Sequence, residues 1–513
     1  MYPGNVAREH PDRPAIIMAA SGEVVSFRQL DEGSNRLAHL LRDSGLSRGD
    51  HLALFMDNHP RFLEVVWAAL RSGLYVTAVN SHLTAEEAAY VIDDCEAEVL
   101  VASAALAPVA GALGPEATPR VRLRLAVDGV LDSYEPYETA VSGYPATPID
   151  DESTGATMLY SSGTTGRPKG VLRPLPDTVP SEPDARLAAT ATTYGFRDGM
   201  VYLSPAPLYH AAPLAFCVLT HRFGGTVVVM ERFDPAHALE LIEQHRVTHS
   251  QWVPTMFVRL LRLPDEKRHA HDLSSHELAI HAAAPCPVPV KRQMIEWWGP
   301  ILYEYYAGTE GNGSTAITSE EWLGHPGSVG RARVGSVHII GPDGEELPPG
   351  QEGAIYFSGG GSFEYKGDPD KTEGSRLPGG LSTLGDIGYL DEEGYLYLTD
   401  RQAHMIISGG VNIYPREIED VLIAHPAVAD VAVFGLPHDE FGEEVTAVVE
   451  PLDDHEPTDD LARELLAFCR EHLAGFKVPR RLDFTDDMPR LPTGKLYKRK
   501  LKDRYLDGEP EPT

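Results

Sequence analysis

Residues 51–56, "H-L-A-L-F-M", read as a buried strand, and the apolar pattern "R-F-L-E-V-V-W-A-A-L-R-S-G" at 61–73 reads as a mostly buried helix. A second strand-like run, "Y-V-T-A-V" at 75–79, follows at once. Strand, helix and strand at this spacing imply a parallel α/β sheet. Upstream, "E-V-V-S-F-R-Q-L" opens a helix with Ser26 and Gln29 placed as a capping box. Leu37, Leu40 and Leu41 give that helix its apolar stripe, and Gly45 stops it. The same alternation returns in "G-T-V-V-V-M" (225–230) and a helix around 235–245.

At 513 residues the chain exceeds what one core serves, so two or more domains are expected. The segment 173–186, with Pro174, Pro176, Pro180 and Pro183, reads as an irregular surface loop. Near residue 400 the texture changes. "G-Y-L-Y-L-T-D-R" (394–401) reads as a final strand pair. Beyond it come a helix from Pro415 to about Ala424, strands at 428–434 and 444–450, and a helix over 459–473. The expected organisation is a large N-terminal α/β domain over 1–400, with mixed, largely parallel sheets. A small α+β domain then spans 401–513, with the boundary at Asp400/Arg401.

A formal net charge of −32 argues against a nucleic-acid surface and against an anionic membrane surface. Cys95, Cys217, Cys286 and Cys469 lie far apart with no C-x-x-C pair, so reduced core thiols are expected. The start shows no secretory pattern, and no run of eighteen apolar residues appears. A cytoplasmic protein without a transmembrane segment is the expectation. No coiled-coil heptads appear, and the oligomeric state stays open, a homodimer being one option.

The chemistry concentrates in "Y-S-S-G-T-T-G-R-P-K-G-V", residues 160–171. Ser161, Ser162, Thr164 and Thr165 offer hydroxyls. Gly163, Gly166 and Gly170 let backbone N–H groups approach an anion, and Lys169 adds a point charge. The strand-like "A-T-M-L-Y" precedes the loop, and a polyphosphate is its natural guest. A Walker loop needs G-x-x-x-x-G-K followed by Ser or Thr; here Lys169 stands between Pro168 and Gly170, so that pattern fails. A flexible Gly/Ser/Thr connector is the bland alternative.

This loop resembles the signature of the adenylate-forming superfamily: acyl-CoA synthetases, peptide-synthetase adenylation domains and luciferases. Further segments match in the family's order. In "Y-Y-A-G-T-E-G" (305–311) the resemblance implies that Tyr306 lies beside adenine, Thr309 meets the α-phosphate and Glu310 helps hold Mg2+, with Thr165 as a second metal contact. "H-A-A-A-P" (281–285) resembles the small-residue stretch against adenine, which falls on Ala283. In 382–401, Asp386 would accept the ribose hydroxyls and Arg401 would reach the ribose; read alone, Asp386 is a turn residue between Gly385 and Gly388. "L-P-T-G-K" (491–495) would carry the adenylation lysine, Lys495, whose bland reading is a basic tail.

The resemblance implies two half-reactions, adenylation of a small-molecule carboxylic acid by ATP and transfer of the acyl group to coenzyme A. The C-terminal domain would rotate between them. Gly409 and Gly410 resemble the segment lining the thiol tunnel, and Lys477 in "F-K-V-P-R" would meet the phosphates of coenzyme A. His210 in "P-L-Y-H-A-A-P" resembles an aromatic gate, against a core histidine. Two departures stand out. Many relatives have Gly-Tyr-Gly where this chain has Tyr305-Tyr306-Ala307, which predicts a narrower or rerouted acid channel and leaves aliphatic and aryl acids both open. Ala403 and His404 replace the charged hinge pivot, which leaves a carrier protein or another small nucleophile open as the acyl acceptor. A catalytically silent nucleotide-binding protein is the reading from another class.

Overall fold

A computed structural model describes residues 2–161, 168–182, 185–401, 405–408, 411–438, 441–452, 455–490 and 496–506. The strand–helix–strand unit forms as expected: strands His51–Phe55 and Tyr75–Val79 flank helix Pro60–Arg71. The strands pair in parallel, with His51 opposite Tyr75. Val99–Ser103, Leu123–Val127, Glu135–Pro136 and Ala156–Thr157 extend this sheet, every pair parallel. Helix Phe27–Asp43 carries the predicted capping box: the Ser26 hydroxyl accepts from Gln29 N–H, and the Gln29 side chain accepts from Ser26 N–H.

A second, larger sheet has a parallel core. Its strands run Pro14–Met18, Thr226–Val229, Val201–Ser204, His249–Trp252, Leu278–His281 and Leu302–Ala307 in space. Beyond Leu302–Ala307 the sheet turns antiparallel, through Ser314–Thr318, Ser328–Val334, Leu396–Arg401, Leu381–Leu390, Gly353–Ser358 and Ser336–Ile340. Helix Pro60–Arg71 is buried nearly all round because it lies between the two sheets, and its Trp67 shares one core with Leu52, Val76, Tyr202 and Val227. Truncating such a wholly buried indole costs about 3–5 kcal/mol.

The expected strand pair at 394–401 is one strand, Leu396–Arg401, whose partner Leu381–Leu390 lies across a turn at 391–394. The irregular stretch after 173 gives way to helix Ala185–Tyr194. Strands Val428–His438 and Gly442–Pro451 run longer than the sequence suggests, because each strand's N–H and C=O groups are satisfied along the whole hairpin. This hairpin, with Ile406–Ser408, Val411–Ile413 and Arg481–Phe484, makes a separate sheet covered by helices Pro415–Ile423 and Asp459–His472. Arg262, in the large part, donates to the carbonyls of Val428 and Ala429 at 3.2 and 3.0 Å. The four cysteines are buried free thiols, and burial pushes Cys95 up to about 12 and Cys469 up to about 11. Among the described residues no helix is long and apolar enough to cross a membrane.

Candidate active site

Parallel strands end on a common edge, and ligands of open α/β sheets sit beyond their C-terminal ends. Here that edge gathers three loops: 205–210 after Val201–Ser204, 282–287 after Leu278–His281, and 308–313 after Leu302–Ala307. The sequence-predicted His210, Ala283, Thr309 and Glu310 therefore come to one rim from positions a hundred residues apart.

Glu310 is buried, with 7% of its surface exposed, and its Oε1 accepts from the Tyr365 hydroxyl at 2.9 Å. Tyr365 lies on the short strand Glu364–Tyr365, which pairs with Lys169–Leu172. Strand Lys169–Leu172 in turn pairs antiparallel with Leu159–Ser161, Lys169 opposite Ser161, so the strands that flank the glycine-rich segment form a hairpin. Gly170 is closely packed there: a Cβ would stand 2.4 Å from Met158 Cε, so a larger residue would have to shift that side chain. Just past this strand, Arg173 donates to the Thr309 carbonyl at 2.7 Å while its own carbonyl accepts from Tyr75 at 2.7 Å. Much of Arg173 remains open to solvent, yet the atoms crowding its guanidinium lower its pKa, an effect Glu310 partly offsets. Hairpin and Glu310 loop are thus tied together twice, through Tyr365 and through Arg173.

Lys169 Nζ lies 3.2 Å from Asp368, which also caps helix Pro369–Gly374 by accepting from Lys371 N–H at 3.0 Å. That N–H and the Lys169 ammonium hold the Asp368 carboxyl below its ordinary range. Ser162, Gly163, Thr164, Thr165 and Gly166 lie outside the described residues, and Ser161 is described by its backbone alone.

Asp386 is no turn residue. It sits within strand Leu381–Leu390, 7% exposed, and its Oδ2 accepts from the Tyr306 hydroxyl at 2.6 Å. Two segments 80 residues apart in sequence meet through this bond. Arg401, of which the backbone is described, stands opposite Asp386 in the ladder. Ala283 is exposed and holds φ at +76°, a left-handed conformation that costs an alanine about 1–2 kcal/mol. With only a methyl group, that loop leaves room for a flat ring to approach.

His210 precedes helix Ala211–Arg222 and stacks obliquely on Tyr209, ring centroids 4.2 Å apart. Its Nε2 is covered and has no hydrogen-bond partner among the described residues. Burial first, and the neighbouring His82 second, push its pKa down to about 3, so the ring is neutral at physiological pH. Lys477 pairs with Glu417 at 2.5 Å. Ala403, His404, Gly409, Gly410 and Lys495 lie outside the described residues; the flanking Arg490 and Leu496 bridge to each other.

Sequence reasoning passed over Arg173, Tyr365 and Asp368. Arg173 falls two residues after the end of the glycine-rich motif, a proximity that was its one available signal. Tyr365 and Asp368 act through strand pairing and a helix cap that no local pattern announces.

A family model for the AMP-binding enzyme matches residues 5–364, and one for the AMP-binding enzyme C-terminal domain matches 417–495. The feruloyl-CoA synthase of Amycolatopsis sp is 33% identical, over 98% of each chain. The fatty acid–acyl-carrier-protein ligase ScoC of Streptomyces coeruleorubidus is 31% identical, over 97% of this chain and 95% of its own. Among solved structures, ATP-bound MatB from Rhodopseudomonas palustris superposes with a TM-score of 0.82 at 29% identity, over 99% of each chain. The motif order, the rim they build and these likenesses agree: this chain belongs to the AMP-binding enzyme family, the adenylate-forming superfamily.

Proposed function

We propose that the protein is an AMP-forming acid–thiol ligase: it converts a carboxylic acid and ATP to an acyl-adenylate and pyrophosphate, then passes the acyl group to coenzyme A. The observation that carries the nucleotide site is the Tyr306–Asp386 hydrogen bond, which sets an aromatic face beside a buried carboxylate. A carboxylate accepting from two hydroxyls is a fitting ribose clamp, and Ala283 leaves the base its space. The glycine-rich hairpin with Lys169 receives the phosphates, and Thr309 stands at the innermost one.

The donor set fits Mg2+. Glu310 offers a hard oxygen, and Mg2+ carried on a polyphosphate takes one or two carboxylates and fills its other positions with phosphate oxygens and water. Glu310 and Thr165 would hold it, and it would neutralise charge on the departing pyrophosphate. Tyr365 and Arg173 are positioning residues: they fix the Glu310 carboxylate and the Thr309 carbonyl. A neutral His210 cannot serve as a proton donor near pH 7, and its part is that of a gate between acid and thiol.

Lys495 supplies the ammonium that steadies the attack of the carboxylate on the α-phosphorus. The domain division at Asp400/Arg401 gives the tail the freedom to bring Lys495 in and then present the segment of Gly409 and Gly410, with Lys477, to coenzyme A. Pyrophosphate exchange over a panel of acids tests the first step, and thioester formation tests the second. Exchange should fall at least about a hundredfold in Lys495→Ala; a variant equal to wild type would refute the assignment. Two observations favour a second acceptor: Ala403 lacks the hinge charge, and ScoC by its name serves a carrier protein. Exchange without thioester, together with loading of a purified carrier protein, would establish that acceptor instead.

A further inference from the structure

Strand Leu302–Ala307 presents Tyr306 toward Asp386, so its twofold alternation turns Tyr305 and Ala307 to the opposite face. On that face Tyr305 meets Phe216 edge-on, centroids 6.1 Å apart. Phe216 packs in turn on Tyr194 at 5.3 Å, Phe196 at 6.1 Å and Tyr202 at 6.3 Å. Burial drives the Tyr305 phenol pKa up, yet the residue as a whole is only half-buried, as are Ala211 and Ala212 on the helix beside it. Ala307 at the strand's end is exposed. On the far side of Phe216, Tyr202 is fully buried, and among the described residues its hydroxyl has no hydrogen-bond partner.

The face carrying Tyr306 is taken by the adenosine, and the acid must bring its carboxylate to the phosphate beside Thr309. Its body is left the other face, from Ala307 down to Tyr305. Two strand residues span about 6.8 Å. That depth holds a single ring with its carboxylate. An extended alkyl chain would have to displace Tyr305 from its place against Phe216.

We propose that Tyr305 is the floor of the acid site and makes this enzyme selective for compact aromatic carboxylic acids over long-chain fatty acids. The inference rests on the adenylating function proposed above and fixes the substrate class of that site.

Pyrophosphate exchange measured with benzoate, cinnamate, octanoate and hexadecanoate tests it. Wild type should prefer the better aryl acid over hexadecanoate by about 100-fold in kcat/KM, the discrimination expected when a guest must overpack a filled core. Tyr305→Gly should move the ratio toward hexadecanoate by about tenfold or more, and Tyr305→Phe should leave it unchanged, since the floor is steric. A uniform loss of activity in Tyr305→Gly, with the ratio intact, would mark a merely structural residue and overturn the proposal. Equal use of hexadecanoate and cinnamate by wild type overturns it without any variant, so a poorly folding glycine mutant leaves the test decisive. Exchange with no acid at all would instead refute the adenylating function.

Discussion

Asp386→Ala isolates the ribose clamp. In the structure the carboxylate is buried and takes a 2.6 Å hydrogen bond from Tyr306, so a nucleotide hydroxyl bound there meets a fixed, desolvated acceptor. Hydrogen bonds to a charged group contribute about 1.5–3 kcal/mol each. Removing one hydroxyl from the nucleotide should therefore lower kcat/KM by roughly 10- to 150-fold. The measurement is a cycle of two enzymes against two nucleotides, ATP and 2′-deoxyATP or 3′-deoxyATP, in pyrophosphate exchange with the best acid of a panel. Wild type should discriminate by that factor. Asp386→Ala should be slow with both and discriminate by no more than about threefold, because the coupling partner is gone. Tyr306→Phe serves as the control: it removes a donor to Asp386 while keeping the carboxylate, so discrimination should persist at reduced affinity. If Asp386→Ala retains the full wild-type preference for the intact ribose, the hydroxyls bind elsewhere and the clamp is wrong.

Other outcomes follow from the same geometry. Tyr365→Phe leaves the buried Glu310 Oε1 without that donor, a loss of about 1–3 kcal/mol, and should raise the Mg2+ concentration needed for half-maximal exchange; an unaltered Mg2+ titration and melting curve would argue against the positioning role. Lys291 and Glu304 form a wholly buried pair at 2.5 Å, so Glu304→Gln should destabilise by about 3–5 kcal/mol in urea unfolding, whereas replacing both by apolar residues of similar size should restore most of the loss. His221, His249, His276 and His281 are all buried, and desolvation is the leading cause that holds the first three down to about 4, 4 and 3 and His281 well below 6.5. The unfolded chain then binds more protons below the ordinary value, so stability is full above it and falls as pH drops. At about pH 5 each of the first three withdraws about 2 kcal/mol, together comparable to the stability of a marginal domain, and His281 acts in the same direction. A melting temperature equal at about pH 7 and pH 5 would contradict this.

The sequence alone determined what depends on neighbours along the chain. The Ser26/Gln29 cap, the apolar runs at 51–55 and 75–79 and the order of the glycine-rich and Tyr306–Glu310 motifs were readable because turn chemistry and side-chain period act over a few residues. Read alone, Asp386 looked like a turn between glycines, whereas ladder pairing with Arg401 draws it into a strand and buries it. Tertiary structure decided every contact that crosses between segments: Tyr306 on Asp386, Tyr365 on Glu310, Arg173 on Thr309. Strand alternation dictates that Tyr305 and Tyr306 face opposite ways, but which face meets the nucleotide and which meets Phe216 depends on the layers packed to either side. Register between distant strands is fixed by the sum of all their buried contacts, and no window of sequence contains that sum.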